Sequence, residues 1–118
     1  MNNKNLGNKG EDLITKYCQN IKGFKILHTN YKCQKFGELD IVAQKENTLI
    51  FVEVKSRKTN AFMEIYEQLD NRKIKALIRA IKYYILKNKV TNKTYRLDLA
   101  TYNDTTKEIK YYENIYNE

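Results

Sequence analysis

Acids placed inside strand-like apolar runs are the chemical signal of this chain. One run reads Gly37-Glu38-Leu39-Asp40-Ile41-Val42-Ala43 and the next Leu49-Ile50-Phe51-Val52-Glu53-Val54-Lys55-Ser56-Arg57. An unpaired buried carboxylate is costly, so Asp40 and Glu53 need a partner. Side chains two residues apart on a strand share a face. Glu53 and Lys55 therefore share one with Leu49 and Phe51, and Ile50, Val52 and Val54 form the other. On the preceding run, Leu39, Ile41 and Ala43 are expected on one face and Glu38, Asp40 and Val42 on the opposite one.

The short polar segment Gln44-Lys45-Glu46-Asn47 between the runs argues for an antiparallel hairpin. Gln44 and Leu49 flank the turn, so Asp40 falls opposite Glu53 and Glu38 opposite Lys55. Two carboxylates that close repel unless a cation or a proton sits between them. Lys55 supplies part of that charge. A hard divalent ion such as Mg²⁺ suits the rest, held by one or two carboxylates with phosphate and water. A metal there could activate a water against a phosphodiester, and Lys55 could orient that water or offset charge on the phosphate. The competing reading is an exposed sheet face bearing an ordinary Glu–Lys pair.

The flanking elements follow from periodicity. Leu13, Ile14, Tyr17 and Cys18 recur at helical spacing from about Asn8 to Asn20, and Gly23 is a stop. Phe24 to Lys32, Phe36 to Gln44 and Thr48 to Arg57 read as three strands. Ile74, Leu77, Ile78, Ile81, Tyr84 and Ile85 define a second helix, with Asp70 or Asn71 as its N-cap. Tyr95 to Tyr102 is a fourth strand, and Ile109 to Ile115 a weaker fifth. A helix between strands three and four permits a parallel pairing there.

Composition bounds the partners. The 118 residues fit one domain over 1–118, with a flexible start at 1–6. Lys plus Arg total 22 against 14 for Asp plus Glu, a net charge of +8, and this surplus suggests either a polyanion partner (DNA, RNA or an acidic membrane surface) or simply a solvated basic protein. Arg57 and Lys58, just past the acidic strand, could hold phosphates. So could Lys73, since a cation at a helix start opposes the helix dipole. Cys18 and Cys33 form no CxxC pattern, so a zinc site or disulfide scaffold is not expected and a reducing cytoplasm fits best. The polar start leads into no apolar stretch, so neither a signal peptide nor a membrane partner is expected. Asp98 reads as a buried, hydrogen-bonded acid, and His28, the only histidine, as structural.

Asp40 followed by Glu53-Val54-Lys55 resembles the PD-(D/E)XK nuclease motif. With Gly10-Glu11, Gly37 to Ala43, Phe51 to Arg57, Lys73 and Arg96-Leu97-Asp98, the chain over residues 7 to 102 resembles the UPF0102 (YraN-like) family. It is also similar to archaeal Holliday junction resolvases. The resemblance implies an α/β, restriction-endonuclease-like fold: a central mixed sheet with an αβββαβ core, flanked by helices. It implies a metal-dependent endonuclease acting on DNA, with branched or structured DNA as a candidate substrate; the alternative is a non-catalytic nucleic-acid-binding module on the same fold. It further implies Asp40 and Glu53 as ligands of Mg²⁺ (or Mn²⁺) with the Val54 carbonyl as a third, Lys55 acting on water or phosphate, and Glu11 reaching the site from its helix. Glu38 is a further candidate beside Lys55. The chain departs from the pattern at Leu39, where the superfamily has proline, and at Ile14, where the family has a small alanine. Symmetric cutting of two strands would favour a homodimer.

Overall fold

A computed structural model describes residues 3–58 and 69–116. The elements run α1 (Asn3–Asn20), β1 (Lys25–Lys32), a 3-10 turn (Gln34–Phe36), β2 (Glu38–Lys45), β3 (Thr48–Arg57), α2 (Asn71–Lys87), β4 (Thr94–Asn103) and β5 (Glu108–Tyr112). The five strands form one mixed sheet in sequence order. Its first three strands are antiparallel, β3 and β4 are parallel, and β5 returns antiparallel to β4. This is the α/β, restriction-endonuclease-like architecture that the sequence implies.

The helices cover opposite faces of the sheet. Under α1, Leu6, Ile14 and Cys18 bury against Ile41, Ala43, Ile50, Val52, Ala100 and Tyr102. Under α2, Ile78, Ile81 and Tyr84 bury against Val42, Leu49, Phe51 and Leu97. The alternation along β3 is therefore as expected: Leu49 and Phe51 face α2, and Ile50 and Val52 face α1. Gly23 ends α1 in a left-handed conformation (φ 72°), and Phe24 N–H returns to the Cys18 carbonyl at 2.9 Å. Asp70 caps α2 by accepting from Lys73 N–H at 3.0 Å.

Some expectations need correction, among them the start of β2, which begins at Glu38 and leaves Phe36 in the 3-10 turn. Helix α1 starts at Asn3, five residues before Asn8, and Leu6 is buried in the core. No apolar repeat marks that first turn, so periodicity could not reach it. Leu39 packs in the α2-side core with Val42, not in the α1-side core with Ile41 and Ala43. The alternation on β2 slips at Asp40. Nearby, Asn30 and Gly37 adopt positive φ (52° and 101°).

Candidate active site

The β2–β3 ladder runs from Lys45 opposite Thr48 to Ile41 opposite Val52 and stops. A two-residue loop, Glu46-Asn47, sets this register, with Glu46 in the left-handed region (φ 54°). The next step brings Asp40 and Glu53 side by side, as the sequence anticipates. Backbone pairing has ended by then. Val54 N–H, beyond the last paired residues, donates to Asp40 Oδ2 at 2.9 Å. The acid thus takes over a position that a strand carbonyl would otherwise fill.

Glu53 is nearly enclosed, its side chain 12% exposed, and Lys55 Nζ lies 3.5 Å from Glu53 Oε1. Burial first, then the Asp40 charge, pushes the Glu53 carboxyl up from 4.5 to about 8, and Lys55 only partly opposes them. With both acids ionised, the pair would hold one more negative charge than Lys55 neutralises. A proton or a cation relieves it.

Glu11 arrives from α1. Its carboxyl is raised by burial and by Asp40, with Glu38 adding to the effect. Asn30, its amide nitrogen facing the acids, lies 3.1 Å from Glu11 Oε2 and 3.0 Å from Glu38 Oε1. Four acids from three elements, Glu11 of α1, Glu38 and Asp40 of β2 and Glu53 of β3, thus gather at one end of the hairpin. Asn30 is a site residue that sequence reading misses. Its one signal is its type: Asn tolerates the left-handed conformation it adopts in mid-strand.

The α1 approach depends on a glycine. A Cβ on Gly10 would run into the Ser56 side chain on β3, and this close passage sets Glu11 one residue further along. On the other side of the sheet a cleft of about 240 Å³ contains Glu53, Lys55, Glu38 and Lys73. Lys73 is thereby brought to the acids. Arg57 and Lys58 line a separate groove with Leu6 and Gly7, which shares Lys55 with the first. Asp98 is fully buried, accepting from Arg96 Nε at 3.0 Å, from Asn114 N–H at 2.8 Å and from the Tyr111 hydroxyl, and is structural. His28 stacks edge-on to Tyr31 and Tyr84.

The donor set fits a hard divalent cation. Among the described residues no group of three or more His, Cys, Asp or Glu side chains is placed to hold a metal ion by itself. An all-protein cage is not what Mg²⁺ requires, since it keeps waters and takes phosphate oxygens beside one or two carboxylates. Asp40 and Glu53 supply that pair, with excess charge for the ion to offset.

Fold and site together define a restriction-endonuclease-like α/β protein with paired acids and a lysine where a strand ladder ends. Comparison with known sequences narrows this further. The model of "Uncharacterised protein family UPF0102" matches residues 10–101. A UPF0102 protein of Campylobacter lari is 44% identical over 111 residues, 93% of this chain and 92% of that protein. One of Fusobacterium nucleatum is 41% identical over 102 residues, 86% and 84% of the two chains. One of Vibrio parahaemolyticus is 33% identical over 116 residues, 98% and 94%. The chain belongs to the UPF0102 family. No described helix is long and apolar enough to cross a membrane.

Proposed function

We propose that this protein is a Mg²⁺- or Mn²⁺-dependent endonuclease of the PD-(D/E)XK type acting on DNA phosphodiesters, with branched or structured DNA as substrate. One observation carries the reading: Asp40 and Glu53 sit together beside Lys55 at the end of the ladder, with Glu53 disfavoured as an anion. A protein that only bound an anion would have no need to face it with paired acids. Asp40, Glu53 and the Val54 carbonyl would hold the cation. When bound, the ion supplies a water of lowered pKa and charge to polarise the phosphodiester.

The chain's own residues do the rest. Lys55 places its ammonium beside the pair, where it offsets charge on the phosphate. Glu11, with raised proton affinity, can hold a proton next to Asp40. Asn30, whose amide also donates to Glu38, fixes its position. Arg57, Lys58 and Lys73 flank the acids and hold phosphates on either side, so attraction surrounds a repulsive centre. Two copies related by a two-fold axis would cut two strands symmetrically. A cytoplasmic setting is consistent with Cys18 and Cys33, both buried and not disulfide-bonded.

The test is incubation with forked, flapped, four-way and linear DNAs in Mg²⁺ or Mn²⁺, beside Asp40→Asn and Glu53→Gln. The expected result is metal-dependent cutting by wild type, with both variants inactive yet still bound to DNA. Wild-type cutting rates in both variants would refute it. The alternative is a non-catalytic nucleic-acid-binding module on the same fold. It predicts salt-dependent binding with no turnover.

A further inference from the structure

Resting on the nuclease reading, we infer that the cleft beside the acids receives one unstacked nucleobase, so that the substrate strand is splayed open at the point of cutting. The cleft containing Glu53 and Lys55 continues between the 3-10 turn and α2, where Phe36, Ala76 and Leu77 line it with Lys73. At about 240 Å³ it lies below the roughly 300–1,000 Å³ of sites for drug-sized ligands. It has room for one ring system.

Its chemistry is that of a base slot. Phe36 is half-buried, and its ring packs against Tyr83 with centroids 5.8 Å apart. Leu77 and Ala76 add apolar surface, which accepts the flat face of a base without reading its edge. The cations are placed for a backbone. Lys35 Nζ lies 5.4 Å from the Phe36 centroid, and Lys73 and Lys55 line the cleft itself. Aromatic and apolar surface beside lysines, continuous with the proposed catalytic acids, matches a nucleotide in both parts.

A base inside an intact duplex is stacked on both faces and cannot enter. Extracting it costs unstacking and unpairing energy, least where the base is already single-stranded. The slot therefore selects a strand at a flap, fork or junction over continuous duplex. No base identity is favoured, because every base has a π-face.

Binding decides this without turnover. In an Asp40→Asn background and EDTA, anisotropy compares a flapped DNA with the same duplex lacking the flap. Phe36→Leu keeps apolar volume against α2 and removes the ring. It should weaken flap binding roughly tenfold, the scale of one base–aromatic stack, and leave duplex binding unchanged. Phe36→Trp should restore it. Ala76→Leu, which narrows the slot from α2 and leaves the Phe36 ring intact, should give the same flap-specific loss. A 2-aminopurine at the first flap position should be quenched on binding, and not with Phe36→Leu. Equal losses on both DNAs, or none, overturn the inference. The two readings fail separately. Wild type that cuts flap and duplex alike, with Asp40→Asn inactive, keeps the nuclease and removes the slot. If wild type cuts neither, the nuclease falls, and the Phe36 and Ala76 comparison still decides whether a base enters.

Discussion

Replacing Glu53 by Gln should stabilise the metal-free protein, because the native residue is strained as an anion. Gln is close in shape, cannot ionise, and can donate its amide to Asp40 where a protonated Glu53 would donate its O–H. The carboxyl is pushed from 4.5 up to about 8 by burial and by Asp40. Its folded pKa lies above its unfolded value, so proton binding favours folding. That contribution is complete below the unfolded pKa and is lost as pH rises through the folded one. At about 1.4 kcal/mol per unit, ionisation penalises folding by about 3 kcal/mol at neutral pH and approaches about 5 kcal/mol in alkali. The side chain is 12% exposed, so solvent screens little of this.

The measurement is thermal unfolding of wild type and Glu53→Gln in EDTA across the neutral range. For a chain of this size 1 kcal/mol moves the midpoint by about 4 °C. Glu53→Gln should therefore melt roughly 10 °C above wild type at neutral pH, with the gap closing as pH falls to about 4.5, where Glu53 is protonated in the unfolded chain as well. Taking the difference between the two proteins cancels the titrations they share. Millimolar Mn²⁺ should narrow the gap by stabilising wild type and not the variant. A variant less stable than wild type at alkaline pH, or a gap independent of pH, would refute the claim that this carboxylate is held under strain.

Other outcomes follow from the packing and the charges. Gly10→Ala forces a methyl into Ser56 and should cost about 1–3 kcal/mol in urea unfolding; Ser56→Ala should recover part of the loss. Ser56→Ala alone should be close to neutral, since Ser56 Oγ is buried with no hydrogen-bond partner among the described residues. Asp98→Ala strips the acceptor from Arg96, Tyr111 and Asn114 N–H, and should cost about 3 kcal/mol and speed hydrogen exchange in β5. If Arg57, Lys58 and Lys73 hold phosphates, changing all three to Gln should flatten the slope of log K against log salt for duplex DNA by about 2–3. An unchanged slope would remove them from the interface.

The parts of the site governed by local rules are legible in the sequence. A short polar loop between apolar runs fixes a hairpin register, so Asp40 opposite Glu53 follows from residue spacing alone. Period-two alternation sorts Leu49 and Phe51 from Ile50 and Val52 correctly. The same rule misplaces Leu39, because alternation presumes regular pairing on both sides, and pairing with β3 ends at Ile41. What spacing cannot supply is long-range. Glu11 reaches the acids across 27 to 42 residues of chain, and only the family resemblance points to it. Nothing in the spacing points to Asn30, since its role depends on a left-handed backbone and on which acids meet above it. Phe36 reads as the start of β2; in a 3-10 turn it instead lines the cleft.

The slip at Asp40 also bears on how the site can be probed. Asp40 accepts from Val54 N–H where the ladder has ended, so it closes the sheet as well as facing Glu53. Asp40→Ala removes both roles at once. It leaves Val54 N–H short of an acceptor, at about 1–3 kcal/mol, and frees Glu53 from its neighbour's charge. Lost activity in that variant could be lost alignment alone. Asp40→Asn keeps a carbonyl oxygen for Val54 and removes only the charge, so the pair of variants separates the two roles. If the charge is what matters, Asn and Ala should be equally inactive while Asn melts above Ala in EDTA. If alignment is what matters, Asn should retain activity near that of wild type, and a metal held by two carboxylates would no longer explain it.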